Sequence, residues 1–259
     1  MPENPDIELT FLGTGTSQGV PVIACKCHVC KSNDVQDNRL RTSAMISYND
    51  KNIVIDTGPD FRQQMLREKV EHLDAVLFTH EHKDHIAGLD DVRAFNYIQK
   101  QPTDIYASAS VIQALEREFY YAFEEVKYPG VPQLQVHEIF NQPFKLFGRQ
   151  IIPIKVWHYK LPVFGYRIGD ITYITDANRI DEEEKEKIKG TKVLIVNALR
   201  KEKHISHFTL QQAIELIEEI KPEKAYLTHI SHLMGKHQTV AQELPDNIFL
   251  AYDGLKISV

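Results

Sequence analysis

The sequence predicts a single α/β domain of stacked layers. Three observations predict it. Short apolar runs of strand length recur along the whole chain. Early runs are joined by hairpin turns, while later ones alternate with helical patterns. No repeat, low-complexity tract or Pro/Ser-rich linker divides the 259 residues, which suffice for one large core or two small ones. Hydrophobic content of 42% and charged content of 25% are ordinary for a globular chain.

In chain order, strands are expected over Ile7–Leu12, Ala44–Tyr48, Asn52–Ile55, Ala75–Thr79, Asp104–Ala107 and Gln150–Trp157. Further strands are expected over Gly165–Ile168, Ile171–Thr175, Lys192–Val196, Lys224–Thr228 and Asn247–Ala251. YNDKN at 48–52 and RIGDI at 167–171 read as hairpin connections. The clearest helix runs from Thr209 to Ile220. Thr209 and Gln212 have capping-box spacing, Ala213, Leu216, Ile217 and Ile220 form one apolar stripe, and Pro222 stops it. Other helices are expected over Phe61–Lys69, Leu89–Gln99, Ser110–Ala122 and Asp181–Lys189, the last a mixed charge run read as a solvated face.

Net charge is −6 with a pI near 6.1. With no Lys/Arg stripe, that balance weighs against long nucleic acid as a partner and leaves small phosphorylated substrates open. No apolar run approaches the ~20 residues of a membrane-spanning helix. The opening MPENPDIELTFLG lacks the parts of a signal peptide, so a cytoplasmic protein is expected. A homodimer is left open.

Two clusters carry chemistry. In HEHKDH at 80–85, His80 and His82 project the same way if the segment is extended, and so can grip one metal ion. Asp84 and His85 follow as the chain turns and suit a second ion. Two ions about 3.5–4 Å apart form the clamp used in hydrolysis. Imidazole and carboxylate accept zinc, manganese or iron, so donor type does not select the metal. The only cysteines, Cys25, Cys27 and Cys30, have C-x-C-x-x-C spacing, which suits a metal better than disulfides. That set is one ligand short of a closed tetrahedral site. His28, inside the loop, competes with a distant residue for the fourth place.

The FTHEHKDH segment resembles the hallmark motif of the metallo-β-lactamase superfamily, and other positions match in order from Leu9 to the C-terminal strands. The resemblance implies an αββα sandwich holding a binuclear metallohydrolase centre in one domain, residues 1–259. By it, one ion takes His80, His82 and His158, the other takes Asp84, His85 and His229, and Asp176 spans them. Asp56, in VIDTG, is implied as a support behind the ligands. The opening TFLGTGTSQGVP has G-x-G-x-x-x-G spacing with Pro21 following, which argues against a nucleotide loop. It and the cysteine segment resemble the phosphodiesterase branches, most closely the phosphoribosyl cyclic phosphate phosphodiesterase group. That group implies a structural zinc held by Cys25, Cys27, Cys30 and His232, stapling a loop around residues 13–42.

SHFTLQQ at 206–212 resembles the segment whose histidine, here His207, enters the active site without binding metal. The implied activity is hydrolysis of small, cyclic phosphodiesters by a metal-bridging hydroxide, with two zinc or manganese ions beside the structural zinc. Asp84 would orient the hydroxide and His207 would assist the leaving oxygen. The rivals are a tRNA 3′-end-processing endoribonuclease and a non-hydrolytic di-iron redox protein. The aromatic stretch Phe119–Tyr128 could line a ribose or base pocket. His28, His72, His137, His204 and His237 are expected at the surface.

Overall fold

The computed structural model describes residues 7–259, so the reading of residues 1–6 lies outside the described residues. The chain falls into two compact units, each built on its own sheet. Strands are numbered in chain order, β1 (Glu8–Gly13) to β15 (Lys256–Ser258).

The first unit holds residues 7–12, Ser43–Phe140 and Lys256–Ser258. Its sheet contains β2 (Ser43–Tyr48), β3 (Lys51–Ile55), β4 (Ala75–Leu77), β5 (Thr103–Ala107) and β6 (Leu134–Glu138), in the order β15-β1-β2-β3-β4-β5-β6. The β2–β3 hairpin forms as expected, and Asn49 and Asp50, at φ +50° and +55°, supply the left-handed pair of a two-residue turn. From β3 to β6 the pairing is parallel. Parallel neighbours need crossovers, and helices α1 (Phe61–Glu68), α2 (Lys83–Ile86), α3 (Arg93–Gln99), α4 (Ala109–Glu118) and α5 (Tyr120–Phe123) lie along them. Their apolar sides pack Phe61, Met65, Phe95 and Leu115 with Val54, Val76 and Ile105 of the sheet.

The second unit holds Gly13–Thr42, Asn141–Leu255 and Val259. Its strands are β7 (Phe144–Leu146), β8 (Arg149–His158), β9 (Leu161–Ile168), β10 (Ile171–Tyr173), β11 (Arg179–Ile180), β12 (Val193–Asn197), β13 (Lys224–Thr228) and β14 (Ile248–Leu250). Their order is β11-β8-β9-β10-β12-β13-β14, with β7 paired to β8. Antiparallel hairpins therefore return in mid-chain, then give way to parallel pairing between β10 and β14. This corrects the simple order of early hairpins followed by later alternation. Helices α6 (Glu182–Ile188), α7 (Leu210–Ile220) and α8 (His237–Ala241) complete the unit. Thr209 caps α7, and both bonds of its box with Gln212 form.

Two other expectations need correction. The charge run does form α6, but Glu184 is buried. Its carboxylate accepts from Asn141 Nδ2 at 2.6 Å and the Lys155 amide at 2.9 Å, with Lys187 Nζ at 2.8 Å. Those donors compensate a buried charge that would otherwise be costly. His237, expected at the surface, is buried too, with Nδ1 3.2 Å from Arg39 Nη2. Among the described residues, no helix is long and apolar enough to cross a membrane.

Candidate metal centre

In the first unit, the candidate residues follow the carboxyl ends of parallel strands, where ligands bind in α/β sheets. Asp56 comes directly after β3 in the left-handed region, φ +64°, a conformation costing about 1–2 kcal/mol outside glycine. Ser43 Oγ braces it, lying 3.0 Å from the Ile55 carbonyl and 2.8 Å from the Asp56 carbonyl. Fully buried, the Asp56 carboxylate accepts the Thr79 amide at 2.8 Å, the Thr79 hydroxyl at 2.7 Å and His85 Nδ1–H at 2.6 Å. Burial raises its pKa above the usual carboxylate range, opposed by those bonds.

One carboxylate thus sets two tautomers. Because the Thr79 hydroxyl donates its hydrogen bond to Asp56, it must accept from His80 Nδ1–H, 3.0 Å away. His80 and His85 therefore both present an unprotonated Nε2, the state a metal ligand needs. Strand β4 stops at Leu77, short of the expected Thr79, so these bonds rather than strand alternation aim the histidines. His80 Nε2 lies 3.0 Å from His82 Nδ1, and His85 Nε2 lies 3.3 Å from Asp84 Oδ2. Donors about 2.0–2.1 Å from a tetrahedral ion stand about 3.3 Å apart, so both pairs fit a shared cation. The turn beyond them is tight. A Cβ on Gly88 would lie 2.1 Å from the Gly58 carbonyl oxygen.

In the second unit, His158 ends β8 and donates from Nδ1 to the Ser206 carbonyl at 2.9 Å, again freeing Nε2. Asp176 and His229 follow β10 and β13 with φ of +56° and +55°. Asp176 Oδ1 accepts from the Thr175 hydroxyl at 2.7 Å and lies 3.1 Å from His229 Nε2. Buried Asn197 holds the turn after Asp176, accepting the Ala177 amide at 2.7 Å and donating to its carbonyl at 2.9 Å. His207 stacks on His229 with ring centroids 4.7 Å apart and leans on His158 at 4.6 Å. Its Nδ1 is buried without a hydrogen-bond partner. Burial pushes the His207 pKa down to about 3, against the pull of Asp176, so its imidazole is neutral.

The cysteine cluster also belongs to the second unit. The sulfurs of Cys25, Cys27 and Cys30 lie 3.3, 3.4 and 3.5 Å from His232 Nδ1. Bond lengths of about 2.3 Å to sulfur and 2.0 Å to nitrogen put such pairs about 3.5 Å apart around tetrahedral zinc, so the four residues fit one ion. The Cys30 amide draws the Cys27 thiol down to about 6, while burial pushes the Cys30 thiol up to about 11. His28, the open alternative, is exposed, and the ligand-capable group contains His232 instead.

Sequence reasoning did not single out Ser43, Thr79 or Asn197. Only Thr79 carried a signal, through its place beside His80. Ser43 and Asn197 act across strands, which linear spacing does not display.

A family model described as "Beta-lactamase superfamily domain" matches residues 51–230. The chain belongs to the β-lactamase superfamily. A crystal structure of a diphosphatase from the PhnP family is 40% identical and covers 98% of this chain and 97% of its own, with a TM-score of 0.92. That identity across both chains makes this chain a member of the PhnP family. Zinc-bound PqqB from Methylobacterium extorquens shares the fold, with a TM-score of 0.78 at 19% identity, covering 97% of this chain and all of PqqB. A Porphyromonas gingivalis protein named octanoyltransferase is 41% identical over 249 residues, 95% of this chain but 50% of that protein. The chain spans about half the length of that curated relative, and its name carries no weight for the residues described here. Two sheets with flanking helices, in a member of this superfamily, meet the α/β expectation.

Proposed function

We propose that the protein is a binuclear metal-dependent phosphodiesterase acting on small substrates. In this reading His80, His82 and His158 would hold one ion, Asp84, His85 and His229 would hold the other, and Asp176 would serve both. The observation that carries it is the preset donor chemistry. Nδ1 bonds hold His80, His85 and His158 in the tautomer with Nε2 unprotonated, while neutral His207 stacks on His229. Membership of the PhnP family, and the named activity of the similar diphosphatase, support phosphoryl chemistry.

When bound, the two divalent ions, zinc or manganese, would acidify a shared water and polarise a phosphoryl oxygen. The residues of the chain supply the rest. Asp84 accepts a hydrogen bond from the attacking water and orients it. His207 donates a hydrogen bond to the leaving oxygen as charge gathers there. Asp56 keeps the ligand imidazoles in register. The cysteine site, as a closed structural zinc, holds the loop around residues 13–42. Phosphoribosyl 1,2-cyclic phosphate and related nucleotide phosphodiesters are the substrates we assign, in a cytoplasmic setting, with a ring-opened monoester as product of a cyclic diester.

The test is a substrate panel on metal-quantified protein: ribose cyclic phosphates, nucleoside cyclic phosphates, a diphosphate-linked dinucleotide, precursor tRNA and a lactam. Fastest turnover on a small phosphodiester or diphosphate is expected. Faster cleavage of precursor tRNA would install the endoribonuclease reading instead. Redox-active iron without hydrolysis would remove both.

A further inference from the structure

The glycine-rich turn after β1, Gly13-Thr-Gly-Thr-Ser-Gln-Gly19, is a motif that the proposed reaction leaves unused. Its backbone runs between two other segments of the second unit, Gly15 forming parallel bridges to both Arg41 and Ile230. A side chain has no room there. A Cβ on Gly15 would lie 2.9 Å from the Arg39 carbonyl oxygen and 3.0 Å from that of Leu40. Both backbone groups of Ile230 are taken by this turn. Its amide donates to the Thr14 carbonyl at 2.8 Å, and its carbonyl accepts from the Thr16 amide at 3.1 Å. Ile230 directly follows His229, whose φ of +55° is a left-handed conformation that its surroundings must hold.

The Thr14 side chain is clamped in turn. Its hydroxyl donates to Asp253 Oδ1 at 2.7 Å and accepts from Arg39 Nη1 at 2.8 Å. Its one proton is thereby committed, so the hydroxyl has a single orientation. Arg39 is buried, and its guanidinium reaches three segments at once. Besides serving Thr14, Nη1 donates to the Ala251 carbonyl at 2.6 Å, just past β14, and Nη2 donates to His237 Nδ1 at 3.2 Å, where α8 begins. Asp253 Oδ2 accepts the Leu40 amide at 2.8 Å, which closes the network back onto the segment that carries Arg39. The charges of Asp253, Asp37 and Asp34 favour the buried guanidinium and offset its desolvation. A planar fork of fixed donors can serve three partners in this way, which a lysine ammonium on a flexible stem could not do as rigidly.

We propose that Thr14, clamped between Arg39 and Asp253, is a positioning residue that fixes His229 as a metal ligand. Its carbonyl holds the peptide next to His229, and its hydroxyl bonds hold that carbonyl in place. His80, His85 and His158 are aimed through bonds to their own rings, whereas Thr14 acts on His229 through the backbone. This role rests on the binuclear reading above. It adds to that reading the residues outside the donor set that hold one of its ligands.

The experiment loads full-length wild type, Thr14→Val, Thr14→Ser and Leu216→Ala with cobalt, then adds a competing chelator. Cobalt absorption separates imidazole-bound from thiolate-bound ion, and the Tm of each protein is measured alongside. Wild type should hold two imidazole-bound equivalents and one thiolate-bound equivalent. Removal of a supporting partner typically costs about 10–100-fold in metal affinity, so one imidazole-bound equivalent should leave Thr14→Val at about 10–100-fold lower chelator concentration. The other two should leave as in wild type. Thr14→Ser keeps the hydroxyl and should restore the wild-type profile. Leu216 lies in the core packed by α7, so Leu216→Ala should lower Tm without advancing the release of any equivalent. Equal advance of all three equivalents in Thr14→Val, or no advance, would overturn the role. So would a Thr14→Ser profile that matches Thr14→Val, or the same early release from Leu216→Ala. Should Thr14→Val not fold, Asp253→Asn turns an amide nitrogen toward the Thr14 hydroxyl or the Leu40 amide and should release the same single equivalent early. A wild-type profile there would overturn the role. Wild type holding a single imidazole-bound equivalent would overturn the binuclear reading, and the Thr14→Val shift of that equivalent would still decide the positioning role. None at all would overturn both.

Discussion

Asp56 shows how much one side chain can organise. Its carboxylate takes three donors, and the loss of one oxygen as acceptor would propagate to both His80 and His85. In Asp56→Asn the amide nitrogen would face a donor in either orientation, the Thr79 amide at the Oδ1 position or both the Thr79 hydroxyl and His85 Nδ1–H at the Oδ2 position, and the setting of the two imidazole tautomers would weaken. Removal of such supporting partners typically costs about 10–100-fold in metal affinity, and competition with a chromophoric chelator should read a loss of that order. His207 predicts the opposite pattern. It lies against His158 and His229 but has no role in holding an ion, so His207→Ala should retain full metal content while kcat drops about 10²–10⁴-fold. Metal analysis alongside turnover checks this, and depleted metal in that variant would refute the role. At this scale the sequence pointed to the candidate ligands, because histidine, aspartate and cysteine at tight spacing carry few other meanings. It was uninformative for Ser43 and Asn197, ordinary residues whose function comes from the atoms facing them.

At the scale of elements, α7 was fully legible, since its cap and apolar stripe are local properties of adjacent residues. Short elements were not. Helix α2, with Asp84 and His85, spans four residues and has no periodicity to detect, and strands β6, β7, β11 and β15 went unpredicted. Helix α8 also escaped, and with it the burial of His237 beside Arg39. Arg39 donates to the Ala251 carbonyl at 2.6 Å and the Thr14 hydroxyl at 2.8 Å, and burial brings its pKa down to about 10. Burial, then the Arg39 charge, lowers the pKa of His237 below its ordinary 6.5. Above pH 6.5 both folded and unfolded states hold this imidazole neutral, and its contribution to stability is fully present. Below that pH the unfolded chain takes a proton that the folded one refuses, so stability falls with acid until the folded pKa is reached. Urea midpoints between pH 7 and 5 should therefore decline less steeply in His237→Gln than in wild type.

At the scale of the whole molecule, the cysteine site predicts a separable metal. The cluster ties Cys25, Cys27 and Cys30 to His232, more than 200 residues away in sequence, within one unit. A closed site of this kind contributes its binding free energy to folding. Cys27→Ser should lose one of three bound metal equivalents and lower Tm, with the two catalytic equivalents retained. Metal analysis and thermal denaturation check it, and an undiminished zinc count would show that His232 and the remaining sulfurs do not need Cys27. The same contact explains why sequence reasoning left His28 and a distant histidine in competition for the fourth place. Proximity across such a separation is set by the pairing of strands, and spacing along the chain does not encode it.

Taken by itself, the sequence determined the α/β class, the hairpins, the capped helix and the donor types of the metal sites. Those depend on the identities of neighbouring residues and on period, which are local. Only tertiary structure decided which tautomer His80, His85 and His158 hold, that Glu184 and His237 are buried, and that the His204 ring packs on His207. Each of those is set by what a side chain meets after the strands have paired, and that partner can lie anywhere along the chain.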